Sequence, residues 1–289
     1  MGAVIAVTSE QESSGKTTSV VTLAHYFARK HVNVLIVDLT PAHHALNAMR
    51  DRKLVDLGEV MEGQRLYFVR GNLSVLASHY MGKENAENTD KITYLLEDFK
   101  RSYDLIFIDS DYDLALSLGN SVNYFILPIM LSKFIDPGDC SYTLWRNMAW
   151  SFIRRQLLHI RRVVGAFPLD ATSEALESNI LVLPTFYRWQ DEREVSHYRQ
   201  VFERYRLGLI LPPIPFDAAF IEARAARQTI WEYAPRSEGV IGFTSRKQYR
   251  AYLRNKLRRV GGYTYTAQVI EDGILAKIKQ ESPRTASEA

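Results

Sequence analysis

AVIAVTSEQESSGKTT, residues 3–18, is the stretch that decides the fold. Ala3 to Val7 is a short apolar run that reads as a strand starting almost at the N-terminus. A polar loop follows and ends in Gly15, Lys16, Thr17 and Thr18. Behind it Val20, Leu23, Ala24 and Phe27 recur at i, i+3, i+4 and i+7, the spacing of an amphipathic helix. Strand, glycine-bearing loop and helix together make the setting of a phosphate-binding loop. Gly15 lets the backbone approach a phosphate, Lys16 neutralises its charge, and Thr17 offers a hydroxyl to Mg²⁺. Ser13, Ser14 and Thr18 complete the expected nucleotide-binding set, largely through backbone N–H groups. The competing reading is a chance Gly-Lys-Thr ahead of an ordinary helix. The full G-x-x-x-x-G-K-[ST] pattern is not met, because Glu10 holds the first glycine position. Glu12 must turn its carboxylate away from a nucleotide, which it would otherwise repel.

Further along, short apolar runs alternate with helical patterns. Strands are predicted at Val34 to Leu39, Leu73 to Ala77, Leu105 to Asp109 and Tyr124 to Pro128, with a helix around Lys91 to Phe99. Cys140 to His159 and Glu194 to Tyr205 have helical spacing, and Val163 to Phe167, Ile180 to Pro184 and Leu207 to Leu211 read as strands. The alternation predicts an α/β class, a doubly wound and mostly parallel sheet flanked by helices. Residues 1–281 are read as one domain and 282–289 as a disordered polar tail. Two of the strands, VLIVD and LIFID, are apolar until a final aspartate, Asp38 and Asp109. Such strands suit the centre of a parallel sheet and deliver a carboxylate to the edge where ligands bind. Each aspartate also suits a turn or a helix cap after a strand.

Composition narrows the class by exclusion. Hydrophobic residues at 46% and charged residues at 24% allow a large core under an ordinary polar surface. The net charge of +3 is too small to identify a partner, so the distribution of charge has to. Cys140 is the sole cysteine, which excludes a disulfide or a cysteine-built metal site within one chain. The N-terminus lacks the basic and long apolar regions of a signal peptide, and no run nears the roughly 18 apolar residues of a membrane span. A cytoplasmic location is expected. Ala267 to Gln280 mixes Glu271, Asp272, Lys277 and Lys279 among its apolar residues, too weak a pattern for an amphipathic anchor, so no membrane partner is expected.

Charge is concentrated near the C-terminus. Between Val240 and Gly261 there are seven basic residues and no acidic ones. Arg246, Arg250, Arg254 and Arg258 recur every four residues and form one stripe on a helix, with Lys247 beside it. With no acid nearby to pair with, the stripe is suited to phosphates, and nothing in it suggests base reading. The expected partner is non-specific double-stranded DNA, against the alternative of a solvated face paired with acids elsewhere.

Three further stretches carry a family resemblance. VNVLIVDLTP (Val32 to Pro41), SYDLIFIDSD (Ser102 to Asp111) and FIEARAARQTIWEYAPRSEG (Phe220 to Gly239) resemble, in order, segments of the ParA/MinD deviant Walker-box ATPases. The resemblance runs from Ala3 to about Leu257 and implies a P-loop NTPase fold with ATP and Mg²⁺ as cofactors. It implies that Lys16 contacts the phosphates, that Asp38 orients the attacking water, and that Thr17 and Asp109 serve Mg²⁺. Lys16 and Asp38 are therefore the expected catalytic residues. Asp111 and Asp113 lie close enough to compete with Asp109 for its role. The chain also departs from the family. Gln11 stands where ParA proteins carry the signature lysine, Thr40 replaces the second acid of the DxDP motif, and Asp111-Tyr112 replaces a proline pair. Lack of the signature lysine resembles the McdA, carboxysome-positioning branch. Lys133, Arg146 and Arg154 are candidates to replace it, since charge shared across a nucleotide sandwich needs compensation.

The function implied is an ATP-dependent homodimer that coats nucleoid DNA and positions a carboxysome or plasmid. A ParB- or McdB-like cargo adaptor would stimulate its hydrolysis. The alternatives are a non-hydrolysing, nucleotide-gated DNA scaffold and a MinD-like membrane-associated ATPase.

Overall fold

The computed structural model describes residues 1–10, 13–49, 54–61, 64–78, 86–130, 179–185, 209–211 and 261–276, with the single positions 214, 223, 225 and 230. The elements are β1 Ala3–Val7, α1 Lys16–Arg29, β2 Val34–Asp38, α2 His44–Ala48, β3 Val55–Met61, β4 Gln64–Arg70 and β5 Leu73–Ser78. They continue with α3 Ala86–Phe99, β6 Leu105–Asp109, α4 Tyr112–Ser117, β7 Tyr124–Met130, β8 Ile180–Thr185, β9 Leu209–Ile210 and α5 Gly261–Ile270, which runs into a π-helical turn, Glu271–Leu275. Among the described residues the strands form one sheet in the order β3-β4-β5-β2-β6-β1-β7-β8-β9. From β5 to β9 every pairing is parallel; β4 pairs antiparallel with both β3 and β5.

Both faces are covered, which is why the central strands carry no polar residue until their ends. Val4, Ala6, Leu35, Val37, Ile106 and Ile108 pack on one face with Ile92 and Leu96 of α3 and Ala115 of α4. Ala3, Ile5, Val7, Val34, Ile36 and Phe107 pack on the other with α1 and with Tyr263, Ala267 and Ile270 of α5. Residues alternate between these two cores along each strand, as the period of two requires. The helical positions read from the sequence, Val20, Leu23, Ala24 and Phe27, are all fully buried. Phe27 lies against Phe107 with ring centroids 6.3 Å apart.

The predicted doubly wound fold is the observed one. Its boundaries move slightly: β2 stops at Asp38, because the Leu39 N–H turns to the Asp109 carbonyl at 2.9 Å. The strands expected at Tyr124 and Ile180 run on to Met130 and Thr185, and the one expected from Leu207 covers Leu209–Ile210. The β3–β4 hairpin and α2 fall where the sequence reading assigns no element. The hairpin lies at the sheet edge, where Val55 and Leu57 stay more than half exposed. Charged residues therefore interrupt its apolar pattern without cost, and Arg65 pairs with Asp56 at 3.0 Å across it. The segment from Ala267 onward that was weighed as a membrane anchor instead turns Ala267, Ile270, Ile274 and Leu275 into the core. Among the described residues no helix is long and apolar enough to cross a membrane. The helices expected at Cys140 to His159 and Glu194 to Tyr205, the strand at Val163 to Phe167, the basic stripe and the tail 282–289 lie outside the described residues.

Phe27→Ala is expected to destabilise the fold by about 3–5 kcal/mol, since it empties a fully enclosed aromatic site. Chemical denaturation reads this directly, and an unchanged midpoint would contradict the packing described.

Candidate functional site

The chain leaves β1 between its two neighbours, β6 and β7, at the point where successive crossovers diverge to opposite sides of the sheet. Ligands of open α/β sheets bind outside the carboxyl ends at such a point. The Thr8 N–H reaches across to the Ile126 carbonyl of β7 at 3.0 Å, which sets the start of the loop. Ser13 (φ 57°) and Gly15 (φ 95°) both take the left-handed conformation. Glycine does so freely; for Ser13 it stores about 1 kcal/mol or more. Gly15 stands as the N-cap of α1 with no side-chain cap, and the first turn of α1 holds no acid. The positive end of the helix is therefore not neutralised by an acid of its own first turn. Lys16 folds back and donates to the Ser9 carbonyl at 3.1 Å.

Opposite this loop stand the two strand-end acids. β2 and β6 pair in parallel with Asp38 level with Asp109. The neighbours treat the two carboxylates differently. Asp38 Oδ1 accepts from the Thr40 N–H at 3.1 Å and the Thr40 hydroxyl at 2.6 Å, and Oδ2 accepts from the Leu46 N–H at 2.9 Å. Thr40 Oγ1 in turn accepts from the His44 N–H at 2.8 Å. Asp38 and Thr40 together thus cap the open N–H groups of α2, so the structural role foreseen for Asp38 is present. Thr40 in place of a second acid has a physical reason, because a carboxylate 2.6 Å from Asp38 would face like charge where Thr40 donates a proton.

Asp109 has no such support. It is fully buried, and among the described residues neither of its oxygens makes a hydrogen bond of good geometry, although the Thr17 hydroxyl lies close enough to favour the charged form. Burial first, and then the charge of Asp38, raise its pKa to about 7. The Thr17 hydroxyl and the Lys16 charge act the other way, and Asp111 adds a small upward push. Asp111 and Asp113 are exposed, and Asp111 sits at the start of α4, so Asp109 alone occupies the strand end. The hydroxyls of Thr8, Ser14 and Ser110 are also buried without partners at this same edge. A buried carboxylate lacking donors, beside a threonine hydroxyl, fits a magnesium ion shared with phosphates, which needs only one or two protein oxygens. The predicted loop residues, Ser13 to Thr18, and both aspartates are therefore brought together.

Other predicted residues are not placed: Lys133, Arg146, Arg154, Arg246, Lys247, Arg250, Arg254, Arg258 and Gln11 lie outside the described residues. The structure adds Thr185, which the sequence reading passed over. Its hydroxyl donates to the Ser14 carbonyl at 2.8 Å. A threonine closing an apolar run, as in LVLPT, was the available signal.

With this geometry established, similarity to known proteins is informative. The family model described as the CobQ/CobB/MinD/ParA nucleotide binding domain matches residues 5–230. The sporulation initiation inhibitor protein Soj of Bacillus subtilis is 26% identical over 83% of this chain and 94% of its own. The structure of a Cyanothece McdA–ATP complex aligns with a TM-score of 0.58 at 14% identity, over 90% of this chain and 96% of that one. MinD of Pyrococcus horikoshii with Mg-ADP aligns at 0.57 and 18% identity, over 96% and 99%. At these identities the structural likenesses speak for the fold.

An acid whose pKa is raised on folding binds more protons folded than unfolded, so metal-free stability falls as pH rises from about 4 through about 7. The loss is on the order of 4 kcal/mol across that interval. Asp109→Asn is expected to flatten this slope in thermal melts at fixed salt. A slope identical to wild type would mean that Asp109 is not the group responsible.

Proposed function

This chain belongs to the CobQ/CobB/MinD/ParA nucleotide-binding family, and we propose that within it the protein is a ParA-type ATPase. The observation that carries this reading is the level pair Asp38 and Asp109 beside the Lys16 loop, with Asp109 buried and lacking donors. Lys16 and the backbone N–H groups from Ser13 to Thr18 take the phosphates, with Lys16 exchanging the Ser9 carbonyl for a phosphate oxygen. Thr17 and Asp109 would hold Mg²⁺, which would supply charge neutralisation at the transferring phosphoryl group. Asp38 is the water-orienting carboxylate. Each carboxylate oxygen accepts two hydrogen bonds; Oδ1 is filled by Thr40, whereas Oδ2 has used one place on Leu46 and keeps one for water.

In this reading ATP closes a homodimer, and the dimer binds nucleoid DNA through the stripe of Arg246, Lys247, Arg250, Arg254 and Arg258. A ParB- or McdB-like adaptor on a carboxysome or plasmid then stimulates hydrolysis and release. Pairing two stripes in one dimer links DNA affinity to nucleotide state without any new contact. One of Lys133, Arg146 and Arg154 supplies the charge that Gln11 lacks. The relatives support this reading as far as the protein class: Soj and McdA are similar chains or folds, and what they position is a property of theirs.

A second reading has a specific observation in its favour. Asp38 is already bound on both oxygens as the cap of α2, so the site could bind ATP and gate DNA without hydrolysing it. Asp38→Ala distinguishes the two. Turnover with DNA and adaptor is expected to fall about 100-fold or more while ATP binding persists, as loss of a proton-handling group implies. Unchanged turnover would leave Asp38 as a cap alone and favour the scaffold.

For DNA, purified protein is expected to bind tightly with ATP and weakly with ADP or no nucleotide, with affinity falling steeply as salt rises. Replacing Arg250 and Arg254 by Ala should weaken binding to every sequence equally and lower the salt slope by about 2. Equal or absent binding in all three nucleotide states would remove the nucleoid mechanism.

A further inference from the structure

A hydrogen bond from Thr185 ties the far side of the sheet to the nucleotide loop. β8 lies two strands from β1, paired with β7 so that Thr185 stands level with Met130 at the C-terminal edge. Thr185 is almost completely buried, and its hydroxyl donates to the Ser14 carbonyl at 2.8 Å, across 171 positions of sequence. Ser14 is itself fully buried, and its own hydroxyl has no partner. It sits between two residues in the left-handed conformation, Ser13 and Gly15. Ser13 is strained there but Gly15 is not, so the Ser14–Gly15 peptide borders a glycine that rotates freely and needs an outside contact to fix its direction.

That direction matters because of how a peptide is built. In a trans peptide the carbonyl of one residue and the N–H of the next point opposite ways. No cis bond occurs among the described residues. Holding the Ser14 carbonyl against Thr185 turns the Gly15 N–H away from β8. We propose that Thr185 is a positioning residue for the phosphate loop, aiming the Gly15 N–H at the nucleotide by clamping the Ser14 carbonyl behind it. This rests on the reading of the loop as a nucleotide site and adds a residue from a strand that the loop motif does not include. It also gives the loop a substitute for rigidity. Where the common motif opens with a glycine this chain has Glu10, and the strand-end hydroxyl fixes the Ser14–Gly15 peptide, which would otherwise be free to rotate.

The experiment compares Thr185→Val, which removes the hydroxyl at nearly constant shape, with Thr185→Ser, which keeps it. ATP affinity with Mg²⁺ is measured by calorimetry on the full chain, and melting without nucleotide is measured beside it. Thr185→Val is expected to weaken ATP binding about tenfold, the scale of one lost hydrogen bond to a buried carbonyl. Thr185→Ser should stay within about twofold of wild type. The nucleotide-free melting temperature should fall slightly in Thr185→Val, which leaves the Ser14 carbonyl buried without its donor, and not in Thr185→Ser. Wild-type affinity in Thr185→Val overturns the proposal, as does a loss of affinity shared equally by Thr185→Ser. If Thr185→Val does not fold, Thr185→Ala against Thr185→Ser gives the same comparison. Lys16→Ala serves as the control: if wild type and Lys16→Ala bind ATP alike, the nucleotide-loop reading itself fails. If Lys16→Ala alone loses binding and Thr185→Val does not, only the clamp fails.

Discussion

A carboxylate buried without a hydrogen-bond donor is the constraint on which the site turns. Asp109 ends a strand whose every other residue is apolar and enclosed on both faces of the sheet. The backbone of β6 is committed to β1 and β2, so the strand itself has no donors left to offer the side chain. The side chain is fully enclosed, and the charge that acts on it most strongly, Asp38, is of the same sign. A protein does not keep such a group without use, because its ionised form is costly unless a cation or a proton compensates it. Lys16, Thr17 and the start of α1 are arranged opposite, where a phosphate and its metal would supply what the chain withholds.

The two aspartates show how position in the sheet separates roles that sequence leaves alike. VLIVD and LIFID end the same way, yet the chain after Asp38 turns into α2 and brings Thr40 and Leu46 back to it. The chain after Asp109 runs outward to Asp111 and α4 and brings nothing back. One acid is thereby fixed in orientation and the other is left open to a ligand. Perturbed, under-satisfied carboxylates of this kind gather at functional sites. The capping of α2 is compatible with the water-orienting role proposed for Asp38, since fixing one edge of a carboxylate orients what remains.

The departures from the family pattern have local explanations where the structure describes them. Thr40 donates where a second acid would repel. In the loop Ser13 accepts a left-handed φ, and the Ser14 carbonyl is held from β8. Tyr112, in the place of a proline, opens α4 and packs into the core, and its hydroxyl stays protonated far above neutrality because burial and then Glu10 oppose its charge. The family pattern is thus kept as an arrangement of donors and charges while several of its residue types change.

The doubly wound core, the loop between β1 and α1, and the delivery of Asp38 and Asp109 to one edge were legible in the order of residues alone. These follow from periodicity, and periodicity is local: a strand apolar to its last residue, or an apolar residue each helical turn, carries its burial in its own composition. The hairpin of β3 and β4 was not legible, since an edge exposed to water places little demand on its side chains. Nor was the packing of α5 against α1, where Tyr263 meets Ser19 at 3.0 Å across 244 positions. The same holds for the Thr185 clamp. Only tertiary structure decided which carboxylate is tied and which is open, and which hydroxyl holds the loop. A hydrogen bond is made by two groups that meet in space, and neither group's own sequence context records that the other will arrive.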